Sequence, residues 1–168
     1  TDKLTMSLTL FQTTFNDLIT TQGSYPSLKY YNVSKAVTRG GEVQFTYRDS
    51  GFRLELGSGY QEPWDVTGAR WLLRRPQETD TLRMSQDFGK VDLGIEILNV
   101  GRRLDRVSST QYDYLDAYTL VNAFGSYEIG RGFSAYFRAQ NIFNKRYEES
   151  IGYHNEGIYA LAGAEVKF

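Results

Sequence analysis

Between Val91 and Ile97 the chain alternates without a break. Val91, Leu93, Ile95 and Ile97 fall on one side, and Asp92, Gly94 and Glu96 on the other. A period of two is the geometry of a β-strand whose faces meet different surroundings, and it excludes a helix there. The pattern recurs. Leu4, Met6, Leu8 and Leu10 alternate with Thr5, Ser7 and Thr9, and Val43, Phe45 and Tyr47 with Glu42, Gln44 and Thr46. Phe52, Leu54 and Leu56 alternate with Arg53, Glu55 and Gly57, and Phe133, Ala135, Phe137 and Ala139 with Ser134, Tyr136 and Arg138. Adding Thr81 to Asp87, Asp116 to Tyr127 and Ile158 to Phe168 predicts eight strands and no helix, an all-β antiparallel fold. The facing of Asp116 to Tyr127 stays open, because Tyr118, Leu120 and Phe124 compete with Val121 and Ala123. Gly40-Gly41, inside the strand from Tyr30 to Tyr47, predicts a bulge or a close backbone approach.

The connections narrow the choice. They alternate strictly: long after Phe15, short at Arg48 to Gly51, long after Tyr60, short at Phe88 to Lys90, long after Arg102, short at Glu128 to Gly132, long after Phe143. Outer-membrane barrels have long loops at one end and short turns at the other. A soluble sandwich has no reason to gather every long loop at one end. Aromatics near the predicted strand ends (Tyr118, Tyr127, Phe133, Tyr147, Tyr159 and Phe168) suit girdles at the two membrane interfaces. Mean hydropathy is only −0.47. No run approaches the ~20 consecutive apolar residues a membrane-spanning helix needs, which rules one out. A barrel strand shows lipid only every second residue, so it is untouched by this argument. A soluble lipocalin-like barrel gives the same alternation with the faces exchanged, so periodicity alone does not choose between them.

The net charge of −1, with Lys and Arg scattered, leaves no electrostatic footprint for nucleic acid. Without cysteine there is neither a disulfide framework nor a thiolate metal site. The start at Thr1 shows no basic, apolar and small-residue sequence of a secretory signal. Either a signal was removed or the chain is cut from something longer. His154 is the single histidine, and its haem- or metal-ligand reading lacks a second ligand. The loop acids Asp113, Asp116, Glu148, Glu149 and Glu156 have no calcium-loop spacing. Gly130-Arg131-Gly132 and Gly57-Ser58-Gly59 lack the helix a phosphate loop requires. No catalytic constellation, metal site or cofactor is expected, and the chain reads as a non-enzyme. Arg74-Arg75-Pro76 with Trp71 is the most basic local cluster, readable either as a contact for lipid phosphates or an anionic ligand, or as an anchor at the strand base.

The last third carries a family likeness. Tyr118-Thr119-Leu120-Val121-Asn122 is followed by Asn141-Ile142-Phe143-Asn144-Lys145-Arg146-Tyr147, then Gly152-Tyr153, then a strand closing on Phe168. This resembles the C-terminal end of the TonB-dependent outer-membrane receptors, bacterial β-barrels that import scarce nutrients. Phe15-Asn16-Asp17-Leu18-Ile19, Gly41-Glu42, Leu72 to Pro76 and Val100-Gly101-Arg102-Arg103 resemble segments of the cobalamin (vitamin B12) receptor subgroup.

The resemblance implies an up-and-down transmembrane barrel of which residues 1–168 are the C-terminal portion, the last eight of 22 strands. The plug domain and earlier strands would lie outside this chain, so coupling to the TonB complex has no assignable residue here. The C-terminus would face the periplasm. Expected partners are a small-molecule nutrient such as cobalamin or an iron–siderophore, the barrel-assembly machinery, outer-membrane lipid and, through the plug, TonB. Expected ligand-contacting residues in the long loops are Trp71, Arg102, Arg103 and Tyr112, with Tyr114, Tyr153 and His154. Phe168 resembles the C-terminal assembly signal, beside its plainer reading as a girdle residue. Two other readings stand beside the receptor: a self-contained eight-stranded outer-membrane barrel with a structural or adhesion role, and the lipocalin-like binder.

Overall fold

The computed structural model describes residues 3–22, 26, 27, 29–108 and 110–167. Phe168 lies outside the described residues. The strands are β1 (Leu4–Gln22), β2 (Lys29–Asp49), β3 (Phe52–Asp65), β4 (Arg70–Trp71), β5 (Glu78–Asp87), β6 (Val91–Val100), β7 (Arg103–Arg106), β8 (Tyr112–Leu115), β9 (Tyr118–Gly130), β10 (Phe133–Gln140), β11 (Glu148–Ser150), β12 (Tyr153–His154) and β13 (Tyr159–Val166). Eight of them form one antiparallel meander in the order β1-β2-β3-β5-β6-β9-β10-β13. β4 folds back on β3, and β7–β8 and β11–β12 are separate hairpins inside two of the long connections. The described strands do not close: β1 and β13 are the two edges and do not pair with each other. The self-contained eight-stranded barrel is therefore not what forms.

Register assigns every face. One row runs Tyr47–Leu54–Met84–Ile95–Ala123–Ala139–Ala160 across successive strands; beside it runs Phe45–Leu56–Leu82–Ile97–Val121, and beyond that the hydrogen-bonded polar row Ser58–Asp80–Asn99–Thr119 on the same face. The opposite face carries Glu55, Arg83, Glu96 and Asn122 in register, with Arg138 opposite Phe124 one step along the same face. β9 is thereby resolved: Val121, Ala123 and Gly125 lie on the apolar face, and Tyr118, Leu120, Asn122 and Phe124 on the polar one. Phe124 suits the polar face because Gly94 lies opposite it and makes room for its ring; a Cβ there would sit 2.2 Å from the ring edge. The Arg83 guanidinium stacks on that ring, 4.3 Å from its centroid. Tyr118 and Tyr159 also project from the polar face, so they are not girdle residues, whereas Tyr127 and Phe133 are on the apolar face.

Three short turns stand at one end. Two of them, Ser50-Gly51 and Arg131-Gly132, are two-residue hairpins with φ of 49° and 82° and of 55° and 80°, the doubly left-handed turn that matches strand twist. The long connections stand at the other end, with one revision. The stretch from Phe15 to Gln22 is strand, paired from Phe15↔Ala36 to Gln22↔Lys29 beyond the end of β3. Past Ala36, which pairs Asp65 at the end of β3, β1 keeps β2 as its neighbour without β3 beyond it, and its sequence loses the alternation while keeping strand-favouring Thr and Ile. β3 likewise runs past Pro63 to Asp65. Gly40-Gly41 keeps the pairing register unbroken on both sides. It is a close approach, in which a Cβ on Gly40 would meet the Tyr60 carbonyl at 2.1 Å.

Burial is lopsided. Leu8 is 65 % exposed and Leu10 76 %, and the rest of the apolar face is half-buried to exposed. The buried apolar residues Val100, Leu104, Leu115 and Tyr118 all sit at the long-connection end. At about 2 kcal/mol per fully covered Leu or Ile side chain, the uncovered band is the largest unrealised burial in the molecule. So large a contiguous apolar patch marks a face that meets something apolar.

Candidate functional site

The candidate site is the crown of connections above the sheet. Its first anchor is the Asn141-to-Tyr147 motif. Asn141 and Asn144 hold φ of 51° and 53°, a left-handed conformation asparagine tolerates better than most residues. Asn141 is buried, and its side chain accepts the Lys145 N–H at 2.8 Å and donates to the Lys145 carbonyl at 2.9 Å. Its own N–H donates to Asn122 Oδ1 at 2.9 Å, and the Ile142 N–H to the Val121 carbonyl, so the loop is tied to β9. Asn144 Oδ1 accepts the Ile158 N–H at 3.2 Å, closing the loop onto the chain just before β13. Tyr147 then stacks on Tyr118 with ring centroids 4.3 Å apart. The motif is a clasp that fixes where the last long loop leaves and returns.

A second anchor joins three loops. Asp105, on β7, is 0 % exposed. Its Oδ1 accepts from Arg74 Nε at 2.8 Å, and its Oδ2 from the Ile151 N–H at 2.8 Å. The Arg74 N–H also donates to the Leu104 carbonyl at 2.7 Å. Arg74 thus secures one loop to the next rather than to a strand base. Burial pushes the Asp105 carboxyl up, but the N–H donors of Ile151 and Arg106 and the guanidinium of Arg74 outweigh it and hold it below the ordinary carboxylate range. Arg103 is buried beside it, donates to the Glu148 carbonyl, and lies over the Tyr118 ring at 5.0 Å. Arg70 donates to Tyr112 Oη at 2.7 Å and pairs with buried Asp65 at 3.7 Å.

The expected contact residues separate into two sets. Arg103 is buried and Tyr112 half-buried, each engaged with a neighbouring loop. Arg102 stacks on Tyr114, 5.1 Å from its ring, and both are exposed. Tyr153 and His154 are exposed on the β11–β12 hairpin, with His154 Nδ1 3.0 Å from Glu148 Oε1. His154 and Tyr147 also line a 610 Å³ concavity over the tops of β9, β10 and β13. Trp71 stands apart from all of these, edge-on against Trp64 on the apolar side. Sequence reasoning passed over Asp105, because nothing local in Arg103-Leu104-Asp105-Arg106 separates a buried acid from a solvated one. Asn141 was visible as part of a motif, without its role.

Below the crown the polar face forms a second concavity of 650 Å³. At its centre Glu96 receives Arg83 at 2.5 Å and Arg138 at 2.6 Å. A carboxylate held between two guanidiniums fits a surface facing water and other polar groups.

A single antiparallel wall, apolar on one side, charged on the other and crowned with knotted loops, defines a segment of a large membrane β-barrel. The profile of the family described as TonB dependent receptor-like, beta-barrel, matches residues 1–142, and the chain belongs to that family. Its fold is shared with the siderophore receptor PirA from Acinetobacter baumannii, at TM-score 0.83 and 16 % identity over 100 % of this chain and 30 % of that one. The pyoverdine outer-membrane receptor FpvA from Pseudomonas aeruginosa PAO1 gives TM-score 0.79 and 21 % identity over 99 % and 27 %. The copper transporter OprC gives 0.81 and 17 % over 100 % and 29 %. The chain therefore spans less than a third of the length of these structures.

Proposed function

We propose that this chain is the C-terminal part of the barrel of an active-transport receptor of the bacterial outer membrane, contributing the last eight of 22 strands. The observation that carries the reading is the pairing of a receptor-barrel family match with an apolar face left uncovered along the whole meander. Lipid covers that face, and the polar face with its Arg83–Glu96–Arg138 cluster looks into the lumen, where the plug of the whole receptor sits. The short turns and the C-terminus then lie in the periplasm and the crown outside the cell. The C-terminal aromatic Phe168 serves as the signal for the barrel-assembly machinery. TonB engages the plug and not this segment.

The ligand is a scarce nutrient in chelated form. A metal–siderophore is supported by the proteins that share the fold, among them a siderophore receptor, a pyoverdine receptor and a copper transporter. Cobalamin is the alternative, supported by the segment likenesses in the sequence. Exposed Arg102, Tyr114, Tyr153 and His154 are the contacts offered from this side, and buried Arg103 and half-buried Tyr112 position them. The test replaces residues 102–114 with a short turn in the whole receptor and measures binding of a panel of ferric siderophores and of cobalamin. At least a tenfold loss for the compound that binds the unaltered receptor is expected. Unchanged affinity contradicts a ligand role for this loop.

A further inference from the structure

The polar face is not uniform. On β2, β3 and β5 it carries long or charged side chains: Glu42, Gln44 and Arg48, then Arg53 and Glu55, then Arg83. On β10 and β13 it turns apolar. Tyr136 on β10 is 44 % exposed there, and Tyr159 and Leu161 on β13 are each 48 % exposed. Register holds them together: Gln140 faces Tyr159, Arg138 faces Leu161 and Tyr136 faces Gly163. The cation between them is drawn aside. Arg138 reaches over β9 to Glu96 on β6, at 2.6 Å, and so leans away from β13. Phe124, its register partner on β9, adds a third ring.

Two of the rings lie flat. Tyr136 leans across to β13 and covers Gly163, where a Cβ would collide with the ring, and Phe124 covers Gly94 in the same way. A side chain that anchors a resident domain projects into a pocket of that domain. A ring laid on a glycine gives up that reach and leaves clear space in front of the wall. From Tyr159 to Gly163 the strip runs about 14 Å along β13 at ~3.4 Å per residue. Its upper end is continuous with the 610 Å³ concavity of the crown, whose lining includes Tyr159, Leu120 and Tyr147. The strip therefore leads down from a place where the crown can hold a ligand. It offers aromatic and aliphatic faces without a charge, so a ligand moving along it breaks no ion pair at each step. The charged side chains of β2, β3 and β5 make stronger, charge-assisted contacts, which suit a surface held in place.

We propose that the transported ligand passes down the β10–β13 side of the lumen, with Tyr159, Leu161 and Tyr136 as the surface it moves along. The inference rests on the transport reading and on the Glu96 face looking into the lumen. The test uses the whole receptor, with any other cysteine replaced, carrying Leu161→Cys or Tyr136→Cys. Thr46→Cys and Thr81→Cys, on the polar face of β2 and β5, are the references. Each variant is expressed in cells and assayed before and after reaction with a bulky maleimide, so that it is the reference for its own adduct. The probes are a radio-iron trihydroxamate, a radio-iron tricatecholate and radio-cobalt cobalamin, and the one that the unaltered receptor imports is followed. Adducts at Leu161 and Tyr136 are each expected to slow uptake about tenfold or more while binding at the cell surface stays within about twofold. Adducts at Thr46 and Thr81 are expected to leave both within about twofold. Ser126→Cys, in register with Tyr136, replaces either strip variant that fails to bind the probe before labelling. Uptake indifferent to the strip adducts, or slowed as much by the Thr81 adduct, overturns the path. So does a Leu161 adduct that opens an ion-conducting pore in planar bilayers, because the strip then seats the plug. A receptor that accumulates no probe in energised cells loses the transport reading itself, and one that imports a probe past every adduct loses only this inference.

Discussion

The wall and the crown are stabilised in opposite ways. The wall from β1 to β13 has complete backbone pairing between neighbouring strands and almost no burial of its own. The leucines of β1 and the aliphatic row through Met84 and Ile95 wait for lipid. The crown has little regular structure but buries Leu104 and Leu115 together with the polar Arg103, Asp105 and Asn141. Hydrogen bonding shapes the wall and the surrounding medium stabilises it. The crown, exposed to water, carries its own small core and its own polar knots. A receptor of this design can vary its loops without disturbing the membrane-spanning strands.

The largest test of the contrast puts a charge into the wall. Ile95→Arg is expected to cost about 3 kcal/mol, read by urea unfolding of the whole receptor in lipid vesicles. Ser126→Arg, on the polar face, is expected to stay within about 1 kcal/mol. Equal losses at both positions contradict the assignment of faces.

Next comes the crown. Asp105→Ala leaves the Ile151 N–H without its buried acceptor and frees Arg74, for a local loss of about 2 kcal/mol. Amide exchange is expected to rise at Arg106 and Ile151 and to stay unchanged at Ile95 and Val121. A rise spread evenly over crown and wall breaks the comparison.

A gentler version uses pH. The folded-state pKa of Asp105 is lowered, so its contribution is fully present above the ordinary carboxylate value of 3.8 and is lost as pH falls through the depressed value. The amide shift of Ile151, followed downward from pH 5, is expected to turn over below 3.8. A midpoint at or above it contradicts the hydrogen-bonding account.

The smallest effect belongs to the clasp. Asn144→Gly relieves a left-handed φ of 53° but loses the bond to the Ile158 N–H, and the balance is expected to lie within about 1 kcal/mol. Ligand affinity, rather than stability, is the sharper readout there.

The wall was legible in the sequence because two faces of different polarity write a period of two into every strand. It stopped being legible where that contrast ends. The ribbon from Phe15 to Gln22 runs past the end of β3, and β3 past Pro63 carries Trp64 and a buried Asp65 in place of an apolar alternation, so strand residues read there as loop. β9 was ambiguous because Phe124 lies on the polar face over a glycine, an accommodation seen only across strands. The crown was legible only as motif. Asn141 and Asn144 announced a fixed conformation, whereas the burial of Asp105 depends on Arg74 and Ile151, distant in sequence, and no local pattern encodes it.

The central claim is that the aliphatic face meets lipid and the Glu96 face meets water. This stretch contains no cysteine, so with any cysteine elsewhere in the receptor replaced, single cysteines at Ile95 and at Ser126 can be spin-labelled and the receptor reconstituted in vesicles. The Ile95 label is expected to be relaxed strongly by oxygen and weakly by a water-soluble nickel chelate, with oxygen losing that dominance at Ser126. A label at Ile95 that responds to nickel as freely as one at Ser126 would contradict the account.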